Sequence, residues 1–227
     1  MTIPWFERDP AALAAVECTL RERYPTMHAL VGDGKVAVRG TYGVVHEGKE
    51  IDRYALNIVL PENYPRSIPT VWETAERIPR IIDRHVFPKT GALCLGVPAA
   101  LWITLGGNFP IDRVLDIPVR NYLIGNSMVE AGERWPFGEW KHGADGMLDF
   151  FTETIGTSDP TKVTNLIMAL LKGKVRGHWP CPCGSGDIIR KCHRDAIEHL
   201  RSVPEGILVQ SGMLMMDIVK SRRARAA

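Results

Sequence analysis

The chain of 227 residues has no apolar run that approaches the roughly 20 residues needed to cross a bilayer. No membrane partner is therefore expected. Its first residues, Met1-Thr2-Ile3-Pro4-Trp5-Phe6-Glu7-Arg8-Asp9, lack the charged lead and long apolar centre of a secretory signal, so a cytoplasmic location is expected. An excess of either charge is also missing: 28 Lys and Arg face 26 Asp and Glu, a net charge of +2 that does not mark the whole molecule for a polyanion. Cysteine is sparse and odd in number; of the five, three cluster at metal-ligand spacing, which argues for reduced thiols over a disulfide framework. Internal repeats and low-complexity segments are absent. With 45% hydrophobic and 24% charged residues the composition is that of an ordered globular protein, long enough for one sizeable core and a small appendage.

The pattern that is present begins with Asp9-Pro10, a capping carboxylate and a proline suited to the first helical position. Leu13, Val16, Leu20 and Tyr24 then recur at helical spacing, and Cys18 falls off that stripe. Val36, Val38 and Tyr42 alternate as a strand covered on one face, residues 46–50 read as a hairpin turn, and Tyr54, Leu56, Ile58 and Leu60 alternate again. Residues 70–73 offer a third short strand. A flexible loop is expected at Gly106-Gly107-Asn108. Ile111, Val114, Leu115, Val119, Tyr122 and Leu123 mark a helix that Pro118 should kink or break. Trp135, Pro136, Phe137 and Trp140 read as aromatic plugs under a loop, a binding box being the alternative. Further helices are expected around Met147, Leu148 and Phe151, and from Asp159-Pro160 to Gly173; residues 172–180 are the best linker candidate. The basic run 220–225 reads as a solvated, frayed end, weak nucleic-acid contact being the alternative, and no nucleic-acid partner is expected.

Cys94 lies in an irregular stretch, because Pro88 and Gly91 oppose a regular strand or helix ahead of it. A cysteine between Leu93 and Leu95 can be a small core residue, or a reachable thiol that acts as a nucleophile. The landmarks around it resemble the core of ubiquitin-conjugating enzymes. They are the run Tyr54-Ala55-Leu56-Asn57-Ile58-Val59-Leu60-Pro61, then Tyr64-Pro65 with Pro69, then His85, then Leu93-Cys94-Leu95, with Trp102 eight residues past the cysteine. The resemblance covers about residues 30–127. It implies an α+β fold with an N-terminal helix, an antiparallel meander sheet and C-terminal helices, and it implies that Cys94 carries an acyl group as a thioester while His85 braces the flap or donates to the carbonyl. Where the family has His-Pro-Asn this chain has His85-Val86-Phe87, so the flap asparagine is missing; His85 and Asn108 are candidate substitutes. Trp102 is expected to pack beneath the cysteine loop.

The second motif is Pro180-Cys181-Pro182-Cys183-Gly184-Ser185-Gly186 followed by Lys191-Cys192-His193. Three thiolates and an imidazole satisfy a closed tetrahedral zinc site, so Cys181, Cys183, Cys192 and His193 are the expected ligands of a structural Zn2+, with His178 a competitor for the nitrogen position. The segment resembles the SEC-C zinc motif.

Together these readings divide the chain into a ubiquitin-conjugating-enzyme-like domain with a helical extension over 1–172, a zinc module over 178–200, and a C-terminal helix with a basic tail over 201–227. The resemblance implies three partners: an adenylating enzyme, an acyl donor that is a ubiquitin-like protein or the C-terminal tail of a cyclic-nucleotide synthase, and a target lysine. It also implies a setting in antiphage defence. The rival expectation is a catalytically inactive adaptor of the same fold with a zinc docking element.

Overall fold

Asp9 and Pro10 do start a helix: the Asp9 carboxylate accepts the Ala12 N–H at 3.1 Å, and α2 (Pro10–Arg23) buries Val16 and Leu20 while Cys18 stays exposed. A short α1 (Trp5–Arg8) precedes it. The computed structural model describes residues 3–136 and 143–226, so Phe137 and Trp140 lie outside the described residues. Among the described residues, contacts divide the chain into two units, one of 3–96 with 108–136 and one of 97–107 with 143–226.

The first unit is built on a four-stranded antiparallel sheet in the order β1-β2-β3-β4: β1 (Met27–Gly32), β2 (Lys35–His46), β3 (Lys49–Leu60) and β4 (Thr70–Glu73). The alternation seen in sequence is the pleat. Val36 pairs with Leu60, Val38 with Ile58 and Tyr42 with Tyr54, and all six side chains are buried on one face. Glu47-Gly48 turns the chain between β2 and β3 with both residues at positive φ, as a two-residue hairpin requires. Strand β1 was not expected, since only Met27 in it is buried. Its readable signal is Asp33-Gly34, a second such turn at positive φ. Gly40 is needed where β1 begins, because a Cβ there would lie 2.0 Å from the Thr26 carbonyl oxygen.

Against the sheet lies α5 (Arg120–Glu130), while the short α4 (Ile111–Val114) ahead of it packs on α2. At Pro118 the α-helical run is interrupted: α4 ends at Val114 and α5 begins at Arg120. Residues Leu115–Val119 form a π turn, in which the Arg120 N–H reaches back to the Leu115 carbonyl. Widening the turn accommodates the missing proline N–H and its ring, and the Tyr42 hydroxyl donates to the same carbonyl at 3.0 Å. Leu115, Val119 and Leu123 are fully buried, each contributing on the order of 1.5–3 kcal/mol by area.

The second unit is helical: α3 (Pro98–Thr104), α6 (Gly143–Ile155), α7 (Pro160–Leu171), α8 (Arg194–Ser202) and α9 (Glu205–Ala226). Asp159 caps α7 by accepting the Thr161 N–H at 2.8 Å. Phe151, Ile155, Val163, Ile167, Leu200 and Met215 form one sealed cluster, which also takes in Cys181 and Ile189. The cysteine-rich segment shares its core with α6, α7 and α9, because thirteen residues have too little apolar surface of their own. The expected linker is pinned as well: Val175 is buried, and the Gly177 and Trp179 carbonyls accept the N–H groups of Arg190 and Ile189, each at 2.9 Å. The basic end continues α9 as helix, with residues 220–224 exposed.

Candidate functional site

After β4 the Glu73 carboxylate accepts the N–H groups of Ala75 and Arg77 at 2.7 and 2.8 Å, turning the chain away from the sheet. A 3-10 turn over Ile82–Arg84 ends at His85, which has a left-handed backbone (φ 52°) uncommon for a side-chain-bearing residue. That reversal folds residues 85–87 back against 92–94. Val86 bridges Leu93, the Phe87 N–H donates to the Ala92 carbonyl at 2.9 Å, and the Cys94 N–H donates to the His85 carbonyl at 2.7 Å. Gly91 at φ 70° closes the tip. The Leu93 N–H donates to the Val71 carbonyl at 2.8 Å and so moors the hairpin to β4.

Side chains from α5 hold the other end. The Tyr122 hydroxyl donates to the Arg84 carbonyl at 2.8 Å, and the Arg84 guanidinium donates to Asn126 Oδ1 at 2.8 Å. The Asn126 amide, wholly buried, donates to the Tyr122 carbonyl at 3.2 Å, so each buried polar group finds a partner. Trp135, half-buried, lies against the His85 ring at 4.6 Å between centroids with the planes tilted by 43°, and edge-on to Tyr122. Of the expected aromatic plugs it is the one described, and it sits beside the flap.

The sequence-predicted pair Cys94 and His85 is thus brought together through the backbone. Cys94 is half-buried between the buried Leu93 and the exposed Gly96. Burial pushes its thiol up from the ordinary value, and a hydrogen bond from the Gly96 backbone opposes this in part. Asn108 is exposed, and its Oδ1 accepts the Phe109 N–H at 3.1 Å. Tyr64 and Pro65 anchor the turn: the Phe109 N–H donates to the Pro65 carbonyl at 2.7 Å, and the Tyr64 hydroxyl accepts the Ile111 N–H at 3.0 Å where α4 begins. Trp102 belongs to α3 and packs on the hydrophobic cluster of the second unit. A cleft of about 220 Å3 lined by Glu73, Ile78, Pro79, Arg80, Val86 and Leu93 adjoins the hairpin, and Cys94 is not among its lining residues.

The second site needs no long-range assembly. Pro180 bridges Ile188, the Cys181 N–H donates to the Asp187 carbonyl at 2.8 Å, and Gly184 and Gly186 at positive φ curl the loop between them. A 3-10 turn over Ile189–Lys191 then presents Cys192 and His193 at the start of α8. The donor atoms of Cys181, Cys183, Cys192 and His193 all lie within 4.8 Å of one another and could hold a metal ion. Cys183 Sγ to Cys192 Sγ is 3.6 Å, and His193 Nδ1 is 3.2 Å from Cys181 Sγ and 3.1 Å from Cys192 Sγ. A tetrahedral site with about 2.3 Å to sulfur and about 2.0 Å to nitrogen separates its donors by roughly 3.5–3.8 Å, so the set fits one ion with small adjustment. His178 is exposed and outside the cluster.

The thiols are held unequally. Hydrogen bonds from Ser185 bring Cys183 down to about 6, whereas burial pushes Cys181 up to about 12. A cation among them favours the thiolate form of all three, whatever their values without it. Gly156, just past α6 at φ 66°, lies over the site: a Cβ there would touch Cys183 Cβ at 3.5 Å and the His193 ring at 3.6 Å. Sequence reading passed over this glycine. Among the described residues no helix is long and apolar enough to cross a membrane. No protein-family model, curated protein or solved structure matches the chain.

Proposed function

We propose that the protein is an acyl carrier resembling ubiquitin-conjugating enzymes, with Cys94 as the nucleophile and Zn2+ as a structural metal at Cys181, Cys183, Cys192 and His193. The observation that carries the reading is the hairpin 85–94 next to the four-stranded meander, with Cys94 half-buried at its end and its backbone fixed by His85. The thiolate attacks the carbonyl of a protein C-terminus activated by an adenylating enzyme; the Cys94 S–C bond forms and the activating group leaves with the electron pair. An amine of a target lysine then attacks the thioester, its proton passes to solvent, and the Cys94 thiolate departs. By resemblance the donor is a ubiquitin-like protein or the tail of a cyclic-nucleotide synthase, in a cytoplasmic antiphage system.

His85 acts chiefly through its backbone, because its ring is occupied against Trp135. Positioning is what this chemistry asks of a protein, together with an oxyanion donor worth about 2.7–4 kcal/mol. Zinc would tie the 181–193 loop to α8 and supply folding energy, since three thiolates and one imidazole leave no open position for a substrate.

The adaptor reading draws on a specific observation, the raised Cys94 thiol in a flap without asparagine. One experiment separates the two. Protein, activating enzyme, ATP and donor are mixed and run on a non-reducing gel: the carrier gives an adduct that thiol removes and that Cys94→Ala does not form. No adduct with the cognate enzyme and donor leaves the adaptor.

A further inference from the structure

Helix α9 buries one side and leaves a patterned stripe on the other. Leu208, Ser211 and Met215 face the core, and Gly212 lies against Ile167, where a Cβ would approach Cγ2 to 3.3 Å. Opposite them Val209, Met213 and Met216 are 36%, 58% and 40% exposed. At about 100° per residue these three share an arc of about 60°, and Glu205 and Lys220 extend the same stripe at its two ends within about 80°. Both end residues are exposed; Lys220 has a loose contact with Asp217 at 3.9 Å. This apolar row lies on the outside of a helix whose other side is already core, with Gly206, Gln210 and Asp217 exposed along one flank of it.

The order of the row says what covers it. Glu205 stands four residues before Val209, and Lys220 stands four after Met216. Turned end for end about a point between residues 212 and 213, Glu205 exchanges with Lys220 and Val209 with Met216, so the two end pairs match with their charges exchanged while Met213 stands just off the centre. Two copies laid antiparallel therefore set Val209 on Met216 and Glu205 on Lys220, twice, about a two-fold axis beside Met213. That is the self-complementarity an isologous contact demands.

We propose that the α9 stripe is the dimer interface of this chain, pairing with the same stripe of a second copy. The apolar centre supplies the attraction, and the paired ends fix antiparallel register and exclude the parallel one, which would set like charges together. A single helix face buries modest area, so the dimer is weak and concentration-dependent. The assignment does not depend on Cys94 or on the metal.

Sedimentation equilibrium of the full chain across a range of concentrations, with circular dichroism as a folding control, tests it. Wild type shows a monomer–dimer equilibrium, and Met213→Glu is monomeric with unchanged helicity. Glu205→Lys alone and Lys220→Glu alone each weaken the dimer by roughly tenfold, and the double reversal restores it. A wild type that stays monomeric throughout overturns the proposal, as does a dimer indifferent to Met213→Glu, a double reversal no tighter than either single one, or a monomer that instead sediments with anionic vesicles.

Discussion

Cys94 owes its properties to where its backbone is pinned. Burial disfavours its thiolate and raises the thiol from the ordinary value, against the partial opposition of the Gly96 backbone. Iodoacetamide labelling of Cys94 is accordingly expected to need a higher pH than labelling of a free cysteine; a half-point at or below that of a free cysteine, about 8.5, would contradict this. Asp52 shows the opposite sign. Arg77 grips it with two hydrogen bonds of 2.6 Å and lies 4.5 Å over the Tyr54 ring, holding the carboxyl at about 2. The lowered value means that the stability it adds is present above about 3.9, the unfolded value, and is lost as pH falls towards 2. Arg77 is 38% exposed, so Arg77→Ala is expected to cost only about 1–2 kcal/mol in urea unfolding at pH 7 and to flatten the acid limb. An unchanged acid limb would show that the pair contributes nothing.

At the scale of elements, glycine decides how closely neighbours approach. Gly125 lies within α5 where a Cβ would fall 2.7 Å from the Trp135 ring. Gly125→Ala should push Trp135 off His85, shifting indole fluorescence and speeding Cys94 alkylation; identical fluorescence would mean that the contact is not needed. Gly156→Ala should cost about 1 kcal/mol for its left-handed backbone and weaken metal retention, read by chelator competition. Strands β2 and β3 and helices α2 and α7 were legible because each shows one strong period or a cap: Val36-Val38, Tyr54-Leu56-Ile58, Asp9 and Asp159. Strand β1 was not, because its residues beyond Met27 face solvent or are only half-covered, and α3 was not, because Ala99 and Ala100 carry little period. At Pro118 sequence shows the lost N–H but neither the π turn that takes it up nor the Tyr42 hydroxyl that helps to satisfy the widened turn.

Across the whole molecule the two candidate sites differ in how they are encoded. The metal ligands lie within thirteen residues, so their spacing alone discloses them, and the structure adds the Ser185 and Gly156 contacts that spacing cannot show. Metal analysis should find about one equivalent of zinc in wild type and its loss in Cys183→Ser, with a lowered melting temperature after chelation. The flap is assembled from β4, the 82–94 hairpin and α5, so its landmarks were readable while its braces, Tyr122 and Asn126, were not: in sequence they are two more polar residues of a helix. The unit boundary was equally hidden, because residues 97–107 leave the first unit only to return at 108.

The decisive measurement is the intact mass of the protein after incubation with its activating enzyme, ATP and acyl donor. A gain equal to the donor minus one water, mapped to Cys94, released by hydroxylamine and absent from Cys94→Ala, is the predicted result. An unmodified chain under conditions where the activating enzyme itself is charged, or a gain that persists in Cys94→Ala, would contradict Cys94 as the acyl carrier.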